Sequence, residues 1–183
     1  MSSMVLSGDT SGTVTVTVPA VAGTNTVTIP ASTGTVMVSG NMPAFSAYLP
    51  TANQSISSST WTKVALSAKE FDTANAFDAT TNYRFNPQVA GYYQISAYSE
   101  LNANTANPSS TYMAIYKNGL NYKYARLFGG GSVIGGSTVS AIVYLNGSTD
   151  YVEFYVQGVG GTSLFLTYGS NGTYMSGILV RTA

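Results

Sequence analysis

Residues able to do acid–base or metal chemistry are few, because the chain has no His and no Cys among its 183 residues. Nucleophile–base pairs of the Ser–His or Cys–His kind are absent, as are the commonest zinc ligands, so acyl transfer and zinc hydrolysis have nothing to run on. Carboxylates remain. Glu70 and Asp72 fall on one face if their segment is extended, and a glycosidase needs two carboxyls about 5 to 9.5 Å apart. Asp150 and Glu153 form a second close pair. The plainer reading makes both pairs solvated charges at strand ends. A weak calcium site is another use, since hard cations take several carboxylate and carbonyl oxygens. That would need four of the seven acids to gather, which their spacing does not show. No catalytic residue, metal ligand or cofactor is assigned, and a non-enzymatic protein is expected.

Binding chemistry is better represented. Tyr112, Tyr122, Tyr124 and Tyr168 lie beside segments 102–111, 128–136, 158–162 and 169–172, which are rich in Gly, Ser, Thr and Asn. Aromatic faces beside adaptable amide and hydroxyl groups suit neutral glycans or outer-membrane loops. The competing reading makes each Tyr a core or subunit-interface residue and each Gly a turn former. Seven basic and seven acidic residues give zero net charge, and none falls between Asp9 and Lys63. Neither nucleic acid nor an anionic membrane is implied as a partner. No run approaches the roughly 18 apolar residues that span a bilayer. The start, MSSMVLSGDTSG, lacks the charged and apolar regions of a signal peptide, so synthesis in a cytoplasm without an export signal is expected.

Such side chains must be positioned by strands. All 14 Tyr and all 7 Phe fall at or after Phe45, which marks a boundary between a neck and an aromatic head. In the head, β segments are predicted at 44–49, 60–66, 83–85, 91–101, 112–117, 122–127, 137–145, 150–157, 163–168 and 173–181, with no helical pattern. Asn118-Gly119 signals a two-residue hairpin, because its turn needs positive φ at both positions, and Asn146-Gly147 and Asn171-Gly172 repeat the signal. About ten close strands without helical crossovers predict an all-β fold, an antiparallel sandwich or jelly roll and not a parallel sheet. Tyr93, Ile95, Ala97 and Leu101 share one face of their strand, opposite Tyr92, Gln94, Ser96, Tyr98 and Glu100. Segments 137–145 and 177–180 are apolar on both faces. A sandwich buries one face of each sheet, so a second burial surface outside the monomer is expected, rich in Tyr.

An eleven-residue repeat begins at Gly12, Gly23 and Gly34 and makes up the neck at 12–43, its third copy ending on Ala44 of the head: GTVTVTVPAVA, GTNTVTIPAST, GTVMVSGNMPA. Eleven is also the period of right-handed coiled coils, but Thr, Val and interior Pro oppose a helix, Pro by about 3 kcal/mol. Alternation of Val14, Val16 and Val18 with Thr predicts a short strand in each copy, with an apolar face that other copies of the chain would cover. A flexible Thr- and Gly-rich linker is the alternative. The expected organisation is a docking tail at 1–11, a β-repeat fibre neck at 12–43 and a head at 44–183.

Several motifs resemble those of the complement C-one-q globular heads. Phe85, five residues, then Gly91-Tyr92-Tyr93-Gln94-Ile95 is similar to that family's F, five residues, G-x-Y-x-F pattern. Lys117-Asn118-Gly119 matches its K-N-G strand end, Leu145 with Asp150-Tyr151-Val152 its L, G-D-x-V entry, and Tyr174-Met175-Ser176-Gly177-Ile178-Leu179-Val180 its F-S-G-F-L-V closing strand. Departures are Ile95 and Met175 for Phe, Ala97 for an aromatic, the spacing before Phe85, and Ser148-Thr149 before the Asp. The resemblance implies a ten-stranded jelly roll of the C-one-q and tumour-necrosis-factor type, assembling as a homotrimer. Where that family binds calcium it uses acids near the trimer apex, and none of those ligands maps onto this chain. The repeat looks like the β segment that precedes heads in bacteriophage tail fibres. Together these imply a virion surface fibre, docked through its N-terminal region on another virion protein and meeting a bacterial surface glycan or protein. A decoration or attachment protein of a capsid or tail, and a bacterial trimeric adhesin, are the alternatives.

Overall fold

A computed structural model describes residues 3–29, 31, 33–34, 36–128 and 135–183, and the chain divides into two compact units, 1–34 and 35–183. The first unit holds an antiparallel hairpin of β1 (Ser3–Ser7) and β2 (Thr13–Thr17), one strand from either side of the expected 11/12 boundary. Register sets Met4 opposite Val16 and Leu6 opposite Val14, so these apolar side chains share one face. All four are more than half exposed. A two-stranded hairpin with an uncovered apolar face is marginal in water on its own.

The expectation of a strand in every repeat copy is corrected: among the described residues, only the first copy forms one. Val27, Ile29, Val36 and Val38 are exposed and carry no ladder pairing. A strand needs a neighbour for its N–H and C=O groups, and within one chain only the first copy finds one. The third copy is divided between the units, with Met37 packing against the head core before a 3-10 turn at Ser39–Asn41.

The head contains thirteen strands among the described residues: β3 (Ala44–Tyr48), β4 (Gln54–Ile56), β5 (Thr62–Lys63), β6 (Ala68–Asp72), β7 (Phe77–Asp78), β8 (Arg84–Phe85), β9 (Gly91–Ala106), β10 (Ser110–Lys117), β11 (Leu120–Phe128), β12 (Gly135–Leu145), β13 (Val152–Val159), β14 (Thr162–Leu166) and β15 (Thr173–Thr182). Ten of them fall on the segments expected from sequence; β4, β6 and β7 are additional. The first sheet runs β12-β9-β15-β3-β6, with β14 and then β4 extending it along the far half of β9. The second runs β11-β10-β13-β8-β7, with β5 also on β13. All pairings are antiparallel.

Side chains pointing between the sheets make the core. Tyr93, Ile95 and Ala97 are fully buried from β9, Met113 and Ile115 from β10, and Phe154 from β13. Phe45 stacks on Phe85 at 4.3 Å, and Phe85 meets the edge of Tyr93 at 5.5 Å. Burying each such side chain stabilises the fold by about 1.5 to 3 kcal/mol. The Tyr93 hydroxyl donates to the Val89 carbonyl at 2.7 Å, and burial pushes its pKa up to about 12. Gly177 is required by close packing: a Cβ there would lie 2.5 Å from Ile95 Cδ1 and 2.7 Å from Phe45 Cε1.

Of the three Asn-Gly signals, one forms the expected turn. Asn118 and Gly119 take φ of 53° and 77° between β10 and β11. At Asn146-Gly147 only the glycine has positive φ, because the Asn146 side chain instead accepts the N–H groups of Ser148, Thr149 and Asp150. In the last loop the positive φ falls on Gly169, not on Asn171-Gly172. Segment 102–111, expected as a loop, is largely taken up by the end of β9, and residues 129–134 of the expected loop 128–136 lie outside the described residues. No helix among the described residues is long and apolar enough to cross a membrane.

Candidate recognition and assembly surfaces

On the outer face of the second sheet, alternation turns Tyr112 and Tyr116 of β10 away from the core while Met113 and Ile115 enter it. Cross-strand register places Tyr124 and Tyr155 on either side of Ala114, adding their rings to the same face. Tyr112 lies 5.8 Å from Tyr124, and Tyr116 stacks on Tyr155 at 3.9 Å. Trp61 meets Tyr112 and Tyr116 edge-on at 6.0 and 5.9 Å. Arg126 lies over Tyr112 and over the exposed ring of Phe128. The cluster is bordered by the Lys63–Glu153 ion pair. Burial raises the pKa of both Tyr116 and Tyr155.

Of the four tyrosines singled out from sequence, only Tyr112 and Tyr124 come together. Tyr122 sits at a β-bulge and sends its hydroxyl to the Ile142 carbonyl on β12 at 3.4 Å, toward the edge of the other sheet. Tyr168 follows β14, its backbone N–H donating to Asn53 Oδ1. Sequence reading passed over Trp61, Tyr116 and Tyr155. Their i, i+2 and cross-strand relations depend on which strands become neighbours.

Among the described residues of the head, the outward face of the first sheet carries half-exposed apolar side chains. Tyr92 stands opposite Tyr144 with rings 5.4 Å apart, Gln94 opposite Ile142 and Ile178, and Tyr98 opposite Tyr174. Along its middle runs a polar seam, with Gln94 Nε2 donating to Ser140 Oγ at 2.6 Å and Ser96 bonded to Ser140 at 2.9 Å. Around the seam Phe71, Tyr92, Ile142, Tyr144, Ile178 and Val180 are each 39 to 56% exposed. A two-layer sandwich offers this face no core to enter.

Where strands meet at one end of the sandwich, Asp150 joins three loops. Its Oδ1 accepts from Asn118 Nδ2 at 2.7 Å, and its Oδ2 accepts from the Asn146 backbone N–H and pairs with Lys117 at 2.9 Å. The Asn118 hydrogen bond, ahead of Lys117, holds the Asp150 carboxyl below its ordinary range. Asn118 Oδ1 accepts from Tyr151 N–H, and Asn86 Nδ2 donates to the Asp150 carbonyl.

No protein-family model matches this chain, and no curated protein matches it by sequence. Solved structures do match. Murine APRIL at pH 5.0 aligns with a TM-score of 0.58 at 10% identity over 76% of this chain and 99% of that one. The globular domain of zebrafish complement 1qA aligns at 0.55 and 18%, covering 77% and 98%. Vertex protein P5 of PRD1 aligns at 0.55 and 16%, covering 76% and 97%.

The head is a jelly roll of the tumour-necrosis-factor and C-one-q type.

Within this jelly roll, the motif residues that carried the resemblance lie in the core, at close-packed glycine positions and around one turn. Phe85, Tyr93 and Val152 are fully buried, Gly91 and Gly177 face close neighbours that leave no room for a side chain, and Asn118, Gly119 and Asp150 form the turn and hub described above. The carboxylates considered for catalysis are engaged separately. A bulge at Glu70 lets it accept from the Ser46 hydroxyl at 2.7 Å, while the Asp72 side chain, opposite Phe45, accepts from the N–H groups of Ala76 and Phe77 and from Lys69. The bulge removes the regular alternation on which their sharing a face depended. Glu153 is paired with Lys63 and Asp150 with Lys117. Among the described residues no three acids gather as a metal site.

Proposed function

We propose that this chain is the subunit of a homotrimeric virion fibre that recognises a bacterial surface glycan or protein without catalysis. The observation that carries the reading is the outward face of the first sheet, whose half-exposed Ile142, Ile178, Val180, Tyr92 and Phe71 surround a polar seam. Self-association around an axis along that seam would remove those side chains from water, at about 25 cal/mol per Å² of apolar surface. Three outer faces would then point away from the axis, each presenting Trp61, Tyr112, Tyr116, Tyr124 and Tyr155. Weak sites linked in this way gain roughly 10² to 10⁴ in avidity. The exposed apolar face of the β1–β2 hairpin is the place at which the N-terminal unit would meet other copies or another virion protein.

Light scattering on the purified chain at micromolar concentration is expected to give three times the mass of 19.1 kDa. Paired Ile142→Asp and Ile178→Asp substitutions should leave a folded monomer; a monomeric unmodified chain would overturn the assembly. Labelled trimer should bind the surface of at least one bacterial strain in a host panel. The likeness to a vertex protein supports a second reading, a structural attachment protein on a capsid or tail, and absence of binding across the panel would favour it.

A further inference from the structure

A polar cleft of about 450 Å³ opens beside β7 and β8, between Lys69, Asn75, Asp78, Arg84, Asn86 and Gln88. Its volume lies within the range of small-molecule sites, roughly 300 to 1,000 Å³. What it offers a ligand follows from which of its charges are already used. The Asp78 carboxylate accepts from the N–H groups of Thr80, Thr81 and Asn82, the Thr80 hydroxyl and the Asn82 amide. These bonds, led by Thr81 and Thr80, hold it ionised far below its ordinary range, with its oxygens engaged in the turn. Lys69 is paired with Asp72 at 3.0 Å and also reaches the Phe77 carbonyl.

Arg84 is different. Its guanidinium lies 4.2 Å over the ring of Tyr151. Glu153, its cross-strand neighbour, is paired with Lys63 instead. Among the described residues no carboxylate lies within 4.0 Å of Arg84 and no hydrogen bond engages its side chain. Stacking holds the plane of the group while leaving the N–H edge to face a ligand. Asn75, in a left-handed turn conformation at φ 50°, brings an amide that has no hydrogen-bond partner among the described residues. The Oδ1 of Asn86 likewise accepts nothing there, since its Nδ2 is donated to the Ser148 and Asp150 carbonyls.

We propose that this cleft binds a carboxylate-bearing sugar, with Arg84 forking onto the carboxylate and the amides of Asn75 and Asn86 meeting ring hydroxyls. A planar guanidinium matches a planar carboxylate in a bidentate pair, whereas a cationic ligand would face both Lys69 and Arg84. The inference deepens the recognition reading and rests on it for the source of the ligand, a charged polysaccharide at a bacterial surface.

The test uses the full-length assembled chain, isotope-labelled, titrated with sodium glucuronate, sodium N-acetylneuraminate, glucose and inorganic phosphate while the Arg84 Nε–H and Asn75 side-chain NMR signals are followed. Both acidic sugars, or one, should shift these signals saturably, and glucose should not. Arg84→Gln should weaken binding by about ten- to a hundredfold and Arg84→Lys by about tenfold, the loss of a charged, bidentate hydrogen-bond pair. Backbone amide spectra that overlay the parent's show that each variant is folded. Equal response to glucose, a response to phosphate alone, no shift at tens of millimolar, or retained affinity in Arg84→Gln would each overturn the proposal. Cell binding that persists in Arg84→Gln and is not competed by either acidic sugar overturns the cleft's role and leaves host recognition standing. Sugar binding without binding to any strain does the reverse.

Discussion

Asp150 shows how much of a residue's role its neighbours in sequence can disclose. Its place in a motif with Val152 was visible, and Asn146 lies in its own loop, but its partners Asn118, Lys117 and Asn86 arrive from two other segments and become neighbours only when the sheets close. Asp150→Ala would strand the Asn118 amide and Asn146 N–H in a half-buried site. A loss of about 2 kcal/mol is expected, a fall in Tm of roughly 4 to 8 °C by calorimetry. Asp72, Asp78 and Asp150 all titrate below their ordinary 3.8 in the folded chain. For Asp72, burial pushes the carboxyl up, but the Phe77 and Ala76 N–H groups and Lys69 together pull it lower. A depressed folded pKa contributes stability that is present above the unfolded value and lost as pH falls through the folded one. Denaturant midpoints should therefore be flat from about pH 7 to 5 and fall below about pH 4. A midpoint independent of pH down to about 3 would contradict the three carboxylate assignments.

Strands were legible in proportion to how strongly one face is buried. β9 alternates buried and half-exposed residues for most of its length, so its period is plain in the sequence. β4, β6 and β7 escaped because they are short, and β6 carries Lys69, Glu70 and Asp72 among its five residues. Turn chemistry failed where a side chain competed with the backbone, as at Asn146, whose carbonyl oxygen gathers three N–H groups and so removes the need for positive φ there. The contact of β15 with β9 and β3 is the tightest test of the sandwich. Gly177→Val would drive methyl groups into Ile95 and Phe45, and a destabilisation of about 2 kcal/mol is expected in urea unfolding. A neutral result would mean that the sheets spread at this point.

At the scale of the whole molecule, the doubly apolar segments led to the expectation of a burial surface outside the monomer, and the outward side chains Ile142 and Tyr144 of β12 and Ile178 and Val180 of β15 are half-exposed. The cleft beside β7 and β8 was not legible, because its chemistry lies in which charges are already neutralised, and that is decided by hydrogen bonds the sequence does not display. If association through the first sheet holds the head together, thermal unfolding should become concentration-dependent, with Tm rising as protein is added, and the Ile142→Asp, Ile178→Asp pair should remove that dependence. The single tryptophan supplies a further handle. Trp61 is wedged edge-on against Tyr112 and Tyr116 on the face opposite to the one proposed for assembly, so its emission is an intrinsic optical reporter with a built-in direction. Excited tyrosines in the same cluster pass energy to it. Dissociation of intact heads should leave its spectrum unmoved, whereas a ligand laid across the outer face should shift or quench it, which separates the two events in one cuvette without a label.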